Sequence, residues 1–164
     1  MEKIIKFIDN INEWVGRIFS FIVVVLTILV VLEVIMRKFF NHPTIWSFDI
    51  TIQLYGCHFM ILGGYTLLHR GHVSIDIFSQ KFSEKTQAFF EVICYIVFFF
   101  PFWLVVLTLG IRFAGMSWKI YETGIGIFPI PLYIIKTIIP LSALLICLQG
   151  LSDFWRKILI LKTK

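Results

Sequence analysis

Residues 18–36 read IFSFIVVVLTILVVLEVIM, a run of 19 residues with one formal charge, Glu33. As a helix rising about 1.5 Å per residue it covers roughly the 30 Å of a bilayer's hydrocarbon core. Three more stretches share this character. Residues 50–68 and 92–111 contain no Asp, Glu, Lys or Arg, and residues 130–151 contain only Lys136. None alternates as a strand of a membrane barrel does; each is apolar on all sides, as a lipid-embedded helix is. The first run is too long for a cleaved leader, and no small-residue cleavage site follows it. It is expected to serve as an uncleaved anchor behind a basic tail.

The rest of the chain agrees with a lipid solvent. Hydrophobic residues make up 59% of the 164 positions and charged residues 15%, with 18 Phe and a mean hydropathy of +0.89. Soluble domains carry about 45–50% and about 25%. A water-soluble enzyme and a disordered tail are both excluded by that balance. The three cysteines, Cys57, Cys94 and Cys147, form an odd count scattered over separate apolar runs, which excludes a disulfide scaffold. The longest connector, residues 69–91, is too short to fold alone. The expectation is one membrane domain over residues 1–164, all-α, with four transmembrane helices at 18–36, 50–68, 92–111 and 130–151.

Lys and Arg set its orientation. Lys3, Lys6 and Arg17 precede the first span, Arg70, Lys81 and Lys85 lie in the second connector, and Arg156, Lys157, Lys162 and Lys164 follow the last. Only Arg37, Lys38, Arg112 and Lys119 lie on the other side. The bias predicts both termini in the cytoplasm. The net charge of +5 then reflects topology and anionic lipid rather than nucleic acid.

Residues 1–17 form an amphipathic segment. Ile4, Ile8, Ile11, Val15 and Ile18 recur at helical spacing, with Lys3, Lys6, Asp9, Asn10, Glu13 and Arg17 elsewhere. Such a helix can lie in the interface or extend the first span into the headgroups, and the pattern leaves both open.

In the first connector Pro43 stops the chain, Ser47 is placed to cap the second helix, and Asp49 falls in its first turn, where a carboxylate suits the helix dipole. Trp46 suits the headgroup belt. Gly56, Gly63 and Gly64 are small residues that let helices approach in lipid. Gln53 and His58 need partners there; for His58 a hydrogen bond to another helix is favoured over a ligand role. Gly71 is expected to end the second helix in a left-handed conformation, with His72 and Asp76 closing the turn. Pro101 predicts a kink with a freed carbonyl near Val97. Residues 117–129, with Trp118, Tyr121 and Glu122, look like a structured interfacial turn.

Catalytic and metal-binding patterns are missing. The sequence has no clustered metal ligands, phosphate-binding loop, nucleophile elbow or zinc-protease motif, so no enzyme and no cofactor is expected. Glu33 and Glu91 lie near span ends rather than at mid-membrane. With so few polar groups inside the spans, the chain is not expected to form a solute path alone.

Three motifs in order, Trp46-Ser47-Phe48-Asp49, His72-Val73-Ser74-Ile75-Asp76 and Pro131-Leu132-Tyr133-Ile134-Ile135-Lys136 with Pro140, resemble the small membrane subunit of tripartite ATP-independent periplasmic (TRAP) transporters, the DctQ-like family. Many relatives carry Glu where this chain has Asp49, a departure that keeps the charge. The resemblance implies a non-catalytic small permease subunit in a bacterial inner membrane. It would brace a large DctM-like subunit that holds the Na⁺ and substrate sites. It would also help dock a periplasmic substrate-binding protein during Na⁺-driven uptake of organic acids. Alternatives of other classes are a stand-alone four-helix exporter and an assembly factor of a membrane complex. Trp46, Asp49, Gly63, Gly64, His72, Asp76, Lys136 and Pro140 are the expected interface or structural residues. Glu33, Arg37, Asp49 and Lys136 are expected near one another toward the outer leaflet. There Arg37 pairs Glu33 at i+4, and Lys136 reaches Asp49 or a group of the large subunit.

Overall fold

The computed structural model describes residues 2–69, 71, 82–124 and 129–162. Among these the chain is all-helical: α1 (Glu2–Ser20), α2 (Ile22–Phe39), α3 (Ser47–Leu68), α4 (Glu84–Cys94), a π-helical turn (Tyr95–Phe99), α5 (Phe100–Lys119) and α6 (Leu132–Lys162). Thr123 and Pro131 form one isolated β-bridge between α5 and α6.

Helix α1 passes into α2 through a single residue. Phe21 keeps right-handed angles (φ −64°, ψ −18°), and the Ser20 hydroxyl donates back to the Arg17 carbonyl at 2.7 Å. That side-chain bond competes with the helical ladder and marks the break. Asn41 ends α2 in the left-handed region (φ 50°), which Asn tolerates, and the His42 N–H reaches back to the Met36 carbonyl at 3.1 Å.

One local expectation is corrected. Ser47 does not cap α3: it is the first helical residue, buried, and its carbonyl accepts from the Thr51 hydroxyl at 2.7 Å. Past the end of α3 the Gly71 N–H bonds the Thr66 carbonyl at 2.8 Å. Asp49 does occupy the first turn of α3.

Helix α4, the π turn and α5 run on as one long rod. Ser83 caps α4 by accepting from the Thr86 N–H. The helix then widens into the π turn just before Pro101, and the Phe100 N–H bonds the Tyr95 carbonyl. Pro101 has no N–H to give Val97, and the extra residue of a π turn absorbs the ring's clash with the preceding turn. At this proline, where a kink is expected, the structure has that π turn within a continuous helical rod.

Helix α6 is the hub, contacting α5, α3, α4 and α1, while α2 packs on α3. Its buried positions are mostly small or polar: Ser142, Ala143, Leu145, Ile146, Cys147, Gln149, Gly150 and Ser152. Large apolar side chains point outward instead, including Val23–Val25, Ile28 and Val30–Leu32 of α2 and Phe98, Phe102, Leu104 and Val105 of α4–α5. This inside-out distribution suits packing in lipid, where close backbone approach and interhelical hydrogen bonds hold helices together. Gly64 faces Asn12 and the Leu145 backbone, Gly63 faces Ile146, and Gly150 lies under the Phe99 ring. A methyl group at Gly64 or Gly150 would fall within 2.3 Å or 2.1 Å of its neighbour.

Three helical rods are long and apolar enough to cross a membrane: Lys3–Phe39, Lys85–Lys119 and Leu132–Lys162. Helix α3, at 22 residues, is not among them. Gln53, His58 and its glycines dilute its apolar content.

Candidate functional site: two polar ends of the bundle

The polar side chains gather at the two ends. At one end, the loop after α5 folds back on α6. The Leu132 N–H donates to the Glu122 carbonyl and the Gly124 N–H to the Ile130 carbonyl, each at 2.9 Å. The Trp118 indole N–H donates to the Thr137 hydroxyl at 2.8 Å, and the Trp118 and Tyr121 rings both pack on Tyr133. Tyr121 sits at φ 47°, an uncommon angle for an aromatic residue, held by these contacts. Lys136 Nζ reaches the Glu122 carboxylate at 2.5 Å and lies 4.2 Å from the centre of the Phe113 ring. The Lys136 hydrogen bond is the main cause holding the Glu122 carboxyl below the usual carboxylate range.

Glu33 works on the neighbouring loop. It accepts from Arg37 at 2.8 Å, from the Thr44 N–H at 3.2 Å and from the Thr44 hydroxyl, and so ties the 40–46 connector to α2. The expected i+4 pair of Glu33 and Arg37 is present. The expected pairing of Lys136 with Asp49 is not: among the described residues Lys136 takes Glu122, which lies nearer along the chain on the loop leading into its own helix. Of the four residues expected together, Glu33 and Arg37 pair on α2, Asp49 lies in the first turn of α3, and Lys136 of α6 pairs with Glu122. Trp46 precedes α3, partly exposed, and Asp49 is half-buried beside it. Pro140 lies inside α6, where Gly110 lets the α5 backbone come close to its ring nitrogen.

The opposite end joins the two terminal helices. Asp9 accepts from Gln149 at 3.1 Å, from the Ser152 hydroxyl at 3.0 Å and from Arg156, which also bonds Asp153 at 3.2 Å. Asn12, 1% exposed, donates to Gln149 Oε1 at 3.0 Å, and Gln149 is fully buried. Glu13 accepts from Arg17 and pairs with His69, both at 2.7 Å, linking α1 to the end of α3. Lys157 pairs with Glu91 of α4 at 2.5 Å. Between the ends, His58 Nδ1 lies 3.0 Å from the Phe19 carbonyl, so the hydrogen-bonded tautomer carries its proton on Nδ1. That is the interhelical hydrogen bond favoured for His58.

Sequence reasoning missed the Asp9–Asn12–Gln149–Ser152–Arg156 network. A signal existed: Gln149, Ser152 and Arg156 recur at helical spacing along α6, and Ile5, Asp9, Asn12 and Gly16 along α1. His72 and Asp76 lie outside the described residues. Gly63 and Gly64, expected at an interface or as a structural motif, face helices of this same chain. Among the described residues, no three potential metal ligands gather.

Such an architecture, large apolar side chains outside and hydrogen-bonded polar groups between helices, defines a multi-pass membrane protein. The family model of the tripartite ATP-independent periplasmic transporters, DctQ component, matches residues 26–159, and the chain belongs to that family. It is therefore a small permease subunit of a TRAP transporter. None of the curated proteins compared with the chain matches it.

Proposed function

We propose that this subunit transports nothing by itself and braces a large DctM-like subunit in a bacterial inner membrane, helping a periplasmic binding protein to dock during Na⁺-driven uptake of organic acids. The observation that carries this reading is the DctQ family match over residues 26–159. The fate of the polar side chains supports it: Asp9, Asn12, Gln149 and Ser152 bond one another between helices, and Lys136 bonds Glu122 of the adjoining loop, rather than lining a water-filled path. Helix α2 has one buried residue, Leu26, and ahead of Glu33 its outer surface is apolar apart from Thr27, a surface that a large subunit can cover. Helix α3 acts as the fourth span, and both termini are cytoplasmic. The end bearing Trp46, Asp49, Glu122 and Lys136 then faces the periplasm, where the binding protein docks. His72 and Asp76 belong, on this reading, to the cytoplasmic connector.

Coexpression tests this. The tagged chain should retain a large membrane subunit encoded beside it through purification. Failure to copurify, with the tagged chain running as a self-contained homodimer, would favour a stand-alone exporter; retention of a different membrane complex would favour an assembly factor.

A further inference from the structure

Helix α1 sorts its charges when it folds. Its two described carboxylates turn inward: Asp9 is taken by Gln149, Ser152 and Arg156, and Glu13 by His69 and Arg17. Lys3 and Lys6 stay exposed, with no acidic partner among the described side chains. Ile4, Phe7 and Trp14 stand beside them, 63%, 65% and 71% exposed. The buried edge, Ile5, Asn12 and Gly16, is only a narrow stripe; Ile8, Ile11 and Val15 beside it are half-buried, and the Lys3, Phe7 and Trp14 side of α1 is exposed.

Depth follows from the neighbouring helix. The 31 residues of α6 rise about 46 Å, close to the roughly 40–45 Å of a bilayer with its headgroups. Asp9 is held beside Arg156, near the end of α6. The first turns of α1 thus lie at headgroup depth. A helix partner in lipid favours small residues. This face offers lysines next to bulky aromatics, the composition of a helix that meets an anionic membrane surface.

We propose that the Lys3–Lys6–Phe7–Trp14 face of α1 binds anionic phospholipid, with the lysines on the headgroup phosphates and the rings at the acyl boundary. This assignment is independent of the chain's role in transport. It is tested on the full chain with Trp14 as sole tryptophan (Trp46→Phe, Trp103→Phe, Trp118→Phe, Trp155→Phe), reconstituted with brominated phosphatidylglycerol or brominated phosphatidylcholine. Phosphatidylglycerol should quench Trp14 preferentially, by about fivefold per lysine, the ratio given by roughly 1 kcal/mol per Lys at an anionic surface. Lys3→Gln with Lys6→Gln should abolish the preference, and Lys38→Gln with Lys119→Gln at the opposite end should leave it intact. Equal quenching by both lipids, no quenching by either, or equal loss in both double variants would overturn the assignment. Should the single-tryptophan chain not fold, native mass spectrometry of the otherwise wild-type chain decides. It should retain more phosphatidylglycerol than the Lys3→Gln, Lys6→Gln variant, and equal retention would refute the site.

Discussion

Lys136 Nζ sits 2.5 Å from the Glu122 carboxylate and 4.2 Å from the centre of the Phe113 ring, so one ammonium ties α6 to both the preceding loop and α5. Lys136 therefore does not need an outer-leaflet carboxylate on another helix, and it need not snorkel unpaired to the headgroups. Lys136→Met should loosen the loop while leaving the helices formed. The expected result is faster proteolysis near Tyr121 with unchanged helical circular dichroism. Proteolysis at the wild-type rate would show that the loop is held without the pair.

The same pair gives a pH dependence with a definite sign. The folded-state pKa of Glu122 lies below its ordinary 4.5. Its stabilisation is therefore fully present above about pH 4.5 and is lost as pH falls through the lowered value. Unfolding of the wild type and of Glu122→Gln, followed in detergent, should differ by a constant amount from pH 7 to about pH 4.5 and converge below. A difference that vanished already near neutral pH would contradict the ionised pair.

Gly64 and Gly56 make opposite predictions. A methyl at Gly64 would fall 2.3 Å from Asn12 Oδ1, and Asn12 is fixed by its bond to Gln149. Nothing lies within 4 Å of a methyl at Gly56. Gly64→Ala should cost about 1–3 kcal/mol by overpacking, while Gly56→Ala should be neutral or stabilise by up to about 1 kcal/mol. Denaturant unfolding of the two variants measures the contrast.

Gln149→Leu removes the acceptor for Asn12 and one donor to Asp9 in a fully buried position. Stranding those groups should cost about 1–3 kcal/mol. A double-mutant cycle with Asn12→Leu should show the two changes to be non-additive. Additivity would mean that the side chains act separately.

Topology is open to labelling. With the native cysteines replaced, single cysteines at Asn41 and Tyr121 should react with a membrane-impermeant reagent added from the periplasmic side, and those at Ser79 and Thr163 should not. The reverse pattern would invert the proposed orientation.

The apolar runs were legible because lipid imposes a composition that water does not. Helix ends were less so: α6 runs to Lys162 and α4 begins at Glu84, well beyond the runs at 130–151 and 92–111. Those extensions persist because their charges find partners on other helices, as Lys157 finds Glu91 and Arg156 finds Asp9, and periodicity within one helix cannot reveal a partner on another. Glu33 with Arg37 was readable as an i+4 pair. Glu122 was not readable as the partner of Lys136, because only the fold-back of its loop brings it there. Gly64 was recognisable as a small residue, but its neighbour Asn12 belongs to a segment whose placement the pattern left open.

The central claim is that this chain is a brace and carries no solute alone. The most direct measurement is uptake of radiolabelled organic acid by proteoliposomes under an inward Na⁺ gradient. They would contain the chain alone, or the chain with its large subunit and the binding protein. Uptake only in the complete system is the predicted result; Na⁺-driven uptake by the chain alone would contradict it.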